Sequence, residues 1–167
     1  LHEPDARPIR KGRLGKPVEF GYTAQVVDNA DGLIVDHSVH IGNPSDTELL
    51  RPAIERIVTH RGVVPSLVTA DRGYWDSTIE ADLATSGVTT VAIPRTGKPS
   101  AARARIEHAD NFVDAVKWRT GSEGRISHLK RDWAWRRTRL RGHTGARLWC
   151  GHGVFAHNLV KLIQLRR

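Results

Sequence analysis

The chain has little cysteine, no methionine and no long apolar run, and each shortage excludes a class of structure. Cys150 is the only cysteine among 167 residues, which excludes a disulfide framework and a cysteine-ligated zinc site and indicates a cytoplasmic protein. No run of about 18 apolar residues occurs and no signal-peptide pattern is present, so no membrane association is expected. Because methionine is absent and the sequence begins at Leu1, we expect a fragment that lacks an N-terminal region.

Acidic residues are scarce in the second half of the chain. Residues 95–167 contain 17 Lys or Arg against five Asp or Glu, whereas residues 18–94 contain four against 11. The whole chain carries a net charge of +8. Cations concentrated in one region favour nucleic acid as the partner. A membrane surface is less favoured, because the basic region has no clean amphipathic stripe.

Strand and turn signals predict a β-hairpin in the first quarter of the chain. β-Branched and aromatic residues indicate a strand at Val18–Asp28, a turn follows at Asn29–Gly32, and a second strand is predicted at Leu33–Ile41. The preceding Leu1–Pro17 is rich in Pro, Gly and Arg, which predicts an irregular segment or the end of a strand.

Helices and strands alternate after the hairpin. Asp46 is predicted to be the N-cap of a helix that runs to about His60, and Pro52 should kink that helix or break its first turns. The later predicted elements are a strand at Ser66–Ala70, a helix near Ser77–Ser86 with Gly87 as its C-cap, and a strand at Val88–Ile93. This order predicts an α/β fold with a mixed sheet and helices on its faces.

The pattern becomes helical beyond the breaker Pro94–Ser100. Helices are predicted at Ala101–Val116, about Trp118–Trp133, and Phe155–Leu165. We therefore expect a single domain with a sheet core in residues 1–94 and a basic helical part in residues 95–167.

Two carboxylates are the candidate metal ligands. Asp71 follows the apolar strand at Ser66–Ala70, and ligand sites of α/β proteins collect outside the carboxyl ends of strands. An Asp there equally well caps the following turn, so both interpretations stay open. Glu123 is the lone acid within the cationic stretch Lys117–Arg131. Because Mg²⁺ prefers carboxylate oxygen, the pair suits metal-dependent phosphoryl transfer.

The spacing around Glu123 favours a helical face that binds phosphate. Arg119, Glu123 and Lys130 are separated by four and seven residues, so on a helix they lie within about 40° of one face. Two cations beside one anion suit a metal-bound phosphate. The alternative is an ordinary Arg–Glu pair on a solvated helix.

Several motifs, in order along nearly the whole chain, resemble bacterial insertion-sequence transposases of the DDE type. The motifs are P-D-A-R-P-I-R-K-G-R near the start, Gly42-Asn-Pro-x-Asp46, T-A-D-R-G-Y around Asp71, W-R-T-G-S-E-G-R-I-S-H-L-K-R around Glu123, and G-H-G-V-F-A-H-N-L-V-K from Gly151 to Lys161. The resemblance implies an RNase H-like catalytic core that binds Mg²⁺ (or Mn²⁺). Its partners would be DNA at element ends and target sites, with a homodimer as the active complex.

The resemblance also assigns residues. Arg119, Glu123 and Lys130 match the Arg, Glu and Lys of the family's signature, whereas the signature's Tyr falls on Val116. The family needs a further carboxylate on the first strand, and Asp5 is its candidate in this chain. Asp5 would then be a catalytic acid and metal ligand together with Asp71 and Glu123. A turn role for Asp5 is as well supported. Asp28, Asp36 or a residue upstream are the other possibilities, while Asp46 is assigned to its cap.

The remaining cations are predicted to contact DNA phosphates. The predicted contacts, besides Arg119 and Lys130, are Arg125, Arg131, Arg136, Arg137 and Arg139. A solvated loop is the alternative for the run from Arg136. The tryptophans are assigned to the core ahead of base stacking. Two other functions stay open: a catalytically inactive DNA-binding remnant, and an RNase H-like nuclease without strand transfer.

Overall fold

The computed structural model describes residues 3–13 and 16–166, and within these the side chains of 11–13, 16 and 17 are left undescribed. The strands are β1 Arg7–Arg13, β2 Lys16–Asp28, β3 Ile34–Ile41, β4 Leu67–Thr69 and β5 Thr90–Ala92. The helices are α1 Asp46–Arg61, α2 Ile79–Thr85, α3 Ala101–Glu107, α4 Asp110–Asp132 and α5 Gly142–Leu165, with a short 3₁₀ turn at Arg72–Tyr74. The predicted α/β class is confirmed.

The chain divides into two compact units. One comprises the residues up to Pro44 together with those from Arg125 onward, and the other comprises Ser45–Gly124. The division falls within α4, and every element described after residue 94 is helical.

The first unit contains an antiparallel sheet in the order β1-β2-β3. The predicted hairpin is confirmed as β2 and β3. Of the two interpretations of the opening segment, the strand is confirmed and the irregular segment was wrong, because Arg7 pairs with Gly21 and Arg10 with Val18. Charged residues and Pro8 weaken the strand signal, yet both are tolerated on an edge strand.

The second unit contains a parallel pair, β4 and β5, in the register Leu67↔Thr90 and Thr69↔Ala92. The described strands thus form two sheets, where the sequence predicts one mixed sheet. Helix α2 connects the parallel pair. Ile79 and Leu83 of α2 are buried, as expected for a helix that packs on a sheet.

Helices α1 and α5 differ from the sequence predictions. Helix α1 runs through Pro52 without a break, so the predicted break in its first turns was wrong. A proline removes one backbone hydrogen bond, but burial of the apolar face of α1 offsets this loss. Helix α5 begins at Gly142, well before Phe155, because glycine and histidine hide the helical period in its first half.

Asn158 joins α5 to the sheet of its own unit. Its side-chain amide donates to the carbonyl of Ile34 at 2.8 Å, and its carbonyl oxygen accepts from the Ile34 amide at 2.8 Å. Ile34, Leu129 and Val154 form a buried cluster beside this contact, with Trp133 packed against them. The side chain thereby satisfies backbone groups that β3 would otherwise leave unpaired.

Two acids from the start of the chain bind the N-terminus of α5. The Glu3 carboxylate accepts from the Gly142 amide at 3.1 Å, and Asp5 Oδ2 accepts from the His143 amide at 3.3 Å. The Gly142 hydrogen bond is the main cause that lowers the pKa of Glu3. Negative charge at a helix N-terminus is stabilising, because the first amides have no partner within the helix.

The Glu3 contact predicts a pH dependence of stability. The lowered pKa means that its contribution is present above the ordinary value of 4.5 and is lost as the pH falls through the lowered pKa of the folded state. Glu3→Gln should therefore have a smaller free energy of unfolding than the wild type at neutral pH, and the difference should shrink in acid. Urea unfolding of the wild type and Glu3→Gln at a series of pH values measures this difference in the free energy of unfolding. Glu55→Gln, at an exposed position on α1, is the control; a Glu3→Gln difference independent of pH would contradict the assignment.

A pair of helical glycines gives a second prediction. A Cβ on Gly153 of α5 would lie 2.4 Å from Trp135 Nε1, whereas a Cβ on Gly124 of α4 would meet nothing within 4 Å. Gly153→Ala should destabilise the protein by about 1–3 kcal/mol through overpacking. Gly124→Ala, the matched control, should stabilise it by up to about 1 kcal/mol, since alanine favours the helix. Chemical denaturation measures both, and equal effects would contradict the packing at Trp135.

Candidate active site

The carboxyl edge of the β4–β5 pair positions the candidate site. Thr69 Oγ1 donates to the Ala92 carbonyl at 2.9 Å at the last register position. Because the strands are parallel, the residues after β4 and those after β5 emerge at the same edge. Asp71 follows β4 there.

Asp71 caps the 3₁₀ turn that follows β4. Its Oδ1 accepts from the Arg72 amide at 2.6 Å, and the residue is exposed. Its Oδ2 has no hydrogen-bond partner in the part of the chain that the structure describes. The two interpretations of Asp71 are therefore compatible, since one oxygen caps the turn and the other remains open to solvent.

Asp46 is the acid that sequence reasoning missed. It was predicted to be the N-cap of α1, but the N-cap is Ser45 and Asp46 is the first helical residue. Burial first, and then the negative charge of Asp71, raise the pKa of Asp46. The two carboxylates are thus near neighbours. The signal was in the motifs, since Gly42-Asn-Pro-x-Asp46 and Asp71-Arg-Gly-Tyr74 each carry one of them.

Gly73 explains how Asp46 approaches the turn. A Cβ on Gly73 would lie 2.7 Å from Asp46 Oδ2, closer than real contacts allow. Any other residue at position 73 would displace either the turn or the Asp46 carboxylate. The Asp-Arg-Gly-Tyr motif therefore requires glycine for close approach.

Glu123 lies on α4, with 70% of its side chain exposed. Arg119 Nη1 lies 3.8 Å from Glu123 Oε1, as expected for residues four apart on a helix. The Arg119 side chain is only 20% exposed, and its buried Nε has no hydrogen-bond partner among the described residues. The Glu123 carboxylate is consequently accessible, while Arg119 is held against the protein.

The three predicted ligands belong to two units, with Asp71 and Glu123 in the second and Asp5 in the first. Within residues 3–13 and 16–166, no group of three or more His, Cys, Asp or Glu side chains is arranged to hold a metal ion. Asp5 belongs to the other unit, where it binds the α5 N-terminus. Asp46 and Asp71, both in the second unit, are near neighbours.

Some predicted DNA-binding cations already have acidic partners. Arg125 forms an ion pair with Asp28 at the end of β2, and both side chains are largely buried. Arg131 donates from Nε to Asp132 Oδ1 at 3.0 Å. Four of the predicted cations are exposed to solvent, one at the end of α4 and three in the loop before α5: Lys130, Arg136, Arg137 and Arg139.

Two tryptophans and the cysteine have structural roles. Trp133 and Trp135 pack against the Ile34 cluster, which confirms their assignment to the core. Burial raises the pKa of Cys150 to about 11, so its thiol stays protonated at neutral pH.

No apolar helix long enough to cross a membrane occurs in the described part of the chain.

Comparison with protein families relates most of the chain to a known domain. A family model described as the transposase DDE domain matches residues 4–159, which include Asp5, Asp46, Asp71 and Glu123. No curated protein and no solved structure matches the chain significantly. Since the match covers more than half of the chain, the sequence resemblance is confirmed. The chain belongs to the transposase DDE-domain family, whose members cleave and transfer DNA in transposition.

Proposed function

We propose that this chain is the catalytic domain of an insertion-sequence transposase, with an RNase H-like core that cuts DNA at element ends and joins them to target DNA. The family depends in general on a divalent metal and acts on DNA. The order of elements, three antiparallel strands and then two parallel strands with a helix before each, supports the proposed core. By the same resemblance, the active complex is a homodimer.

The observation that carries the proposal is the pair of carboxylates at the edge of β4 and β5. Asp71 raises the pKa of Asp46, after the larger effect of burial, so the two carboxylates repel each other in the protein alone. A divalent cation would relieve this repulsion, and oxygen ligands suit Mg²⁺ or Mn²⁺. The residues therefore fit the metal. Asp71 and Glu123 are proposed as ligands, and Asp5 or Asp46 would supply a third carboxylate.

The bound metal would activate the attacking oxygen and stabilise the leaving oxygen. The chain's own residues would hold the DNA in position. Arg119 and Lys130 would bind phosphates beside Glu123, and the cations of the 136–139 loop would add sequence-independent affinity. The reaction is hydrolysis of a phosphodiester at the element end, after which the freed 3′-hydroxyl attacks a target phosphodiester. No covalent bond between protein and DNA forms.

Removing either proposed ligand should abolish cleavage without abolishing DNA binding. Asp71→Asn and Glu123→Gln should each lower metal-dependent nicking of supercoiled plasmid by at least about a hundredfold. Mutation of a residue that only hydrogen-bonds to a metal ligand already lowers activity by up to about a hundredfold, so loss of a ligand should have at least that effect. Nicking in Mg²⁺ or Mn²⁺ is measured beside the affinity for a labelled duplex.

Asp114→Asn is the matched control, because Asp114 is an exposed acid on the same helix as Glu123. Full activity in Asp71→Asn or Glu123→Gln would remove that residue from the mechanism. A wild-type chain that binds DNA but never nicks it would identify an inactive remnant. Nicking without joining to a target plasmid would identify a nuclease without strand transfer.

A second comparison decides between Asp5 and Asp46 as the third carboxylate. The neighbouring Asp71 favours Asp46, so Asp46→Asn should lower nicking as strongly as Asp71→Asn, about a hundredfold or more. Asp5→Asn should act mainly on stability, since Asp5 binds the His143 amide. Nicking and thermal unfolding are measured on both variants. Loss of nicking in Asp5→Asn at unchanged stability would reverse the assignment.

A further inference from the structure

A stacked pair of side chains lies at the same strand edge as Asp71. Trp75 follows the 3₁₀ turn after β4, and Arg95 follows β5 by three residues. The Arg95 guanidinium carbon Cζ lies 4.9 Å from the centroid of the Trp75 ring. Both residues are half-buried, so the pair remains accessible from solvent.

The backbone of Arg95 is firmly held. Its amide donates to Glu107 Oε1 at 2.9 Å, and Arg103 Nε donates to the same oxygen at 2.7 Å. Arg103 also donates to the Ile93 carbonyl at 2.7 Å and pairs with Glu80 at 2.6 Å. A network of charged groups therefore ties the segment after β5 to helices α2 and α3.

The same network lies within electrostatic range of the Asp71 turn. Burial opposes ionisation of Glu107, but hydrogen bonds from Arg95 and Arg103, with a further contribution from the charge of Arg72, lower its pKa overall. Arg72 is the residue next to Asp71. The carboxylate that holds the Arg95 backbone is thus close enough to the turn to sense its charge.

The Arg95 guanidinium has no acidic partner among the described residues, unlike Arg51, Arg103, Arg119, Arg125 and Arg131. Its Cζ lies over the indole ring of Trp75, and this contact restrains the guanidinium. An arginine restrained in this way loses less side-chain entropy when it binds a phosphate. Its fork of N–H donors matches phosphate oxygens.

We propose that Arg95, stacked on Trp75, binds a DNA phosphate beside Asp71. The assignment rests on the proposed function, and it adds to the reaction a positioning residue outside the motifs that carry the family resemblance. Arg95 supplies the charge and the donors, while Trp75 sets the orientation of the guanidinium.

Binding of a labelled DNA duplex across a series of KCl concentrations tests the proposal. Arg95→Ala should reduce the slope of log affinity against log salt by about 0.9, the value expected for the loss of one phosphate contact. Near 0.1 M salt, this loss corresponds to about an eightfold lower affinity. Arg95→Lys should keep the slope yet bind more weakly than the wild type, because the fork of donors is lost. Trp75→Leu should also keep the slope and lower affinity by about two- to fivefold, as expected for an exposed cation–π contact.

Lys98→Ala is the matched control, since Lys98 is an exposed cation in the same loop. Arg95→Ala and Lys98→Ala with the same slope and affinity would overturn the phosphate contact. If Arg95→Ala fails to fold, the DNA affinities of Arg95→Lys and Trp75→Leu test the phosphate contact instead. Wild-type affinity in both variants would overturn the contact. A wild-type chain without salt-dependent DNA binding would refute the proposed function and this assignment together, whereas normal binding and nicking with no Arg95 effect would refute this assignment alone.

Discussion

The parallel pairing of β4 with β5 is the constraint on which the candidate site depends. Each strand has only three residues, so few ladder hydrogen bonds hold them, and the Thr69 side chain adds another to the Ala92 carbonyl. Parallel strands deliver their carboxyl ends to one edge. Asp71 and Arg95, which are 24 positions apart in the sequence, emerge at that edge for this reason.

Close packing against a glycine then brings a second acid to the edge. Asp46 begins α1, and the missing side chain at Gly73 leaves space for its carboxylate beside the turn. Burial, and then the charge of Asp71, disfavour the ionised form of Asp46. The protein maintains an arrangement that is unfavourable by itself, which is typical of sites that bind a cation. The unfavourable placement of two acids favours a functional site over a purely structural one, because a helix or turn cap requires only one acid.

The cations of the chain serve two different purposes. Arg103 and Arg125 are largely buried and paired with carboxylates, and they join segments that are distant in sequence. Arg136, Arg137 and Arg139 are exposed in a loop, where they can meet a polyanion. Net charge counts both kinds equally. Only the accessible arginines can contribute to binding DNA. The number of arginines in the sequence therefore overestimates the area of the surface that could bind nucleic acid.

The sequence by itself determined the family, the α/β class, the segregation of charge and the position of the hairpin. These follow from motifs, composition and local periodicity, which need no knowledge of distant contacts. Only the tertiary structure decided that Asp46 adjoins Asp71 and that Asp5 binds the α5 N-terminus. It also decided that Arg125 pairs with an acid, whereas Arg95 contacts an indole ring. Each of these depends on strand register and helix docking, which join residues far apart in the chain. No local pattern specifies such contacts, because the same acid or arginine suits a cap, an ion pair or a ligand site equally well.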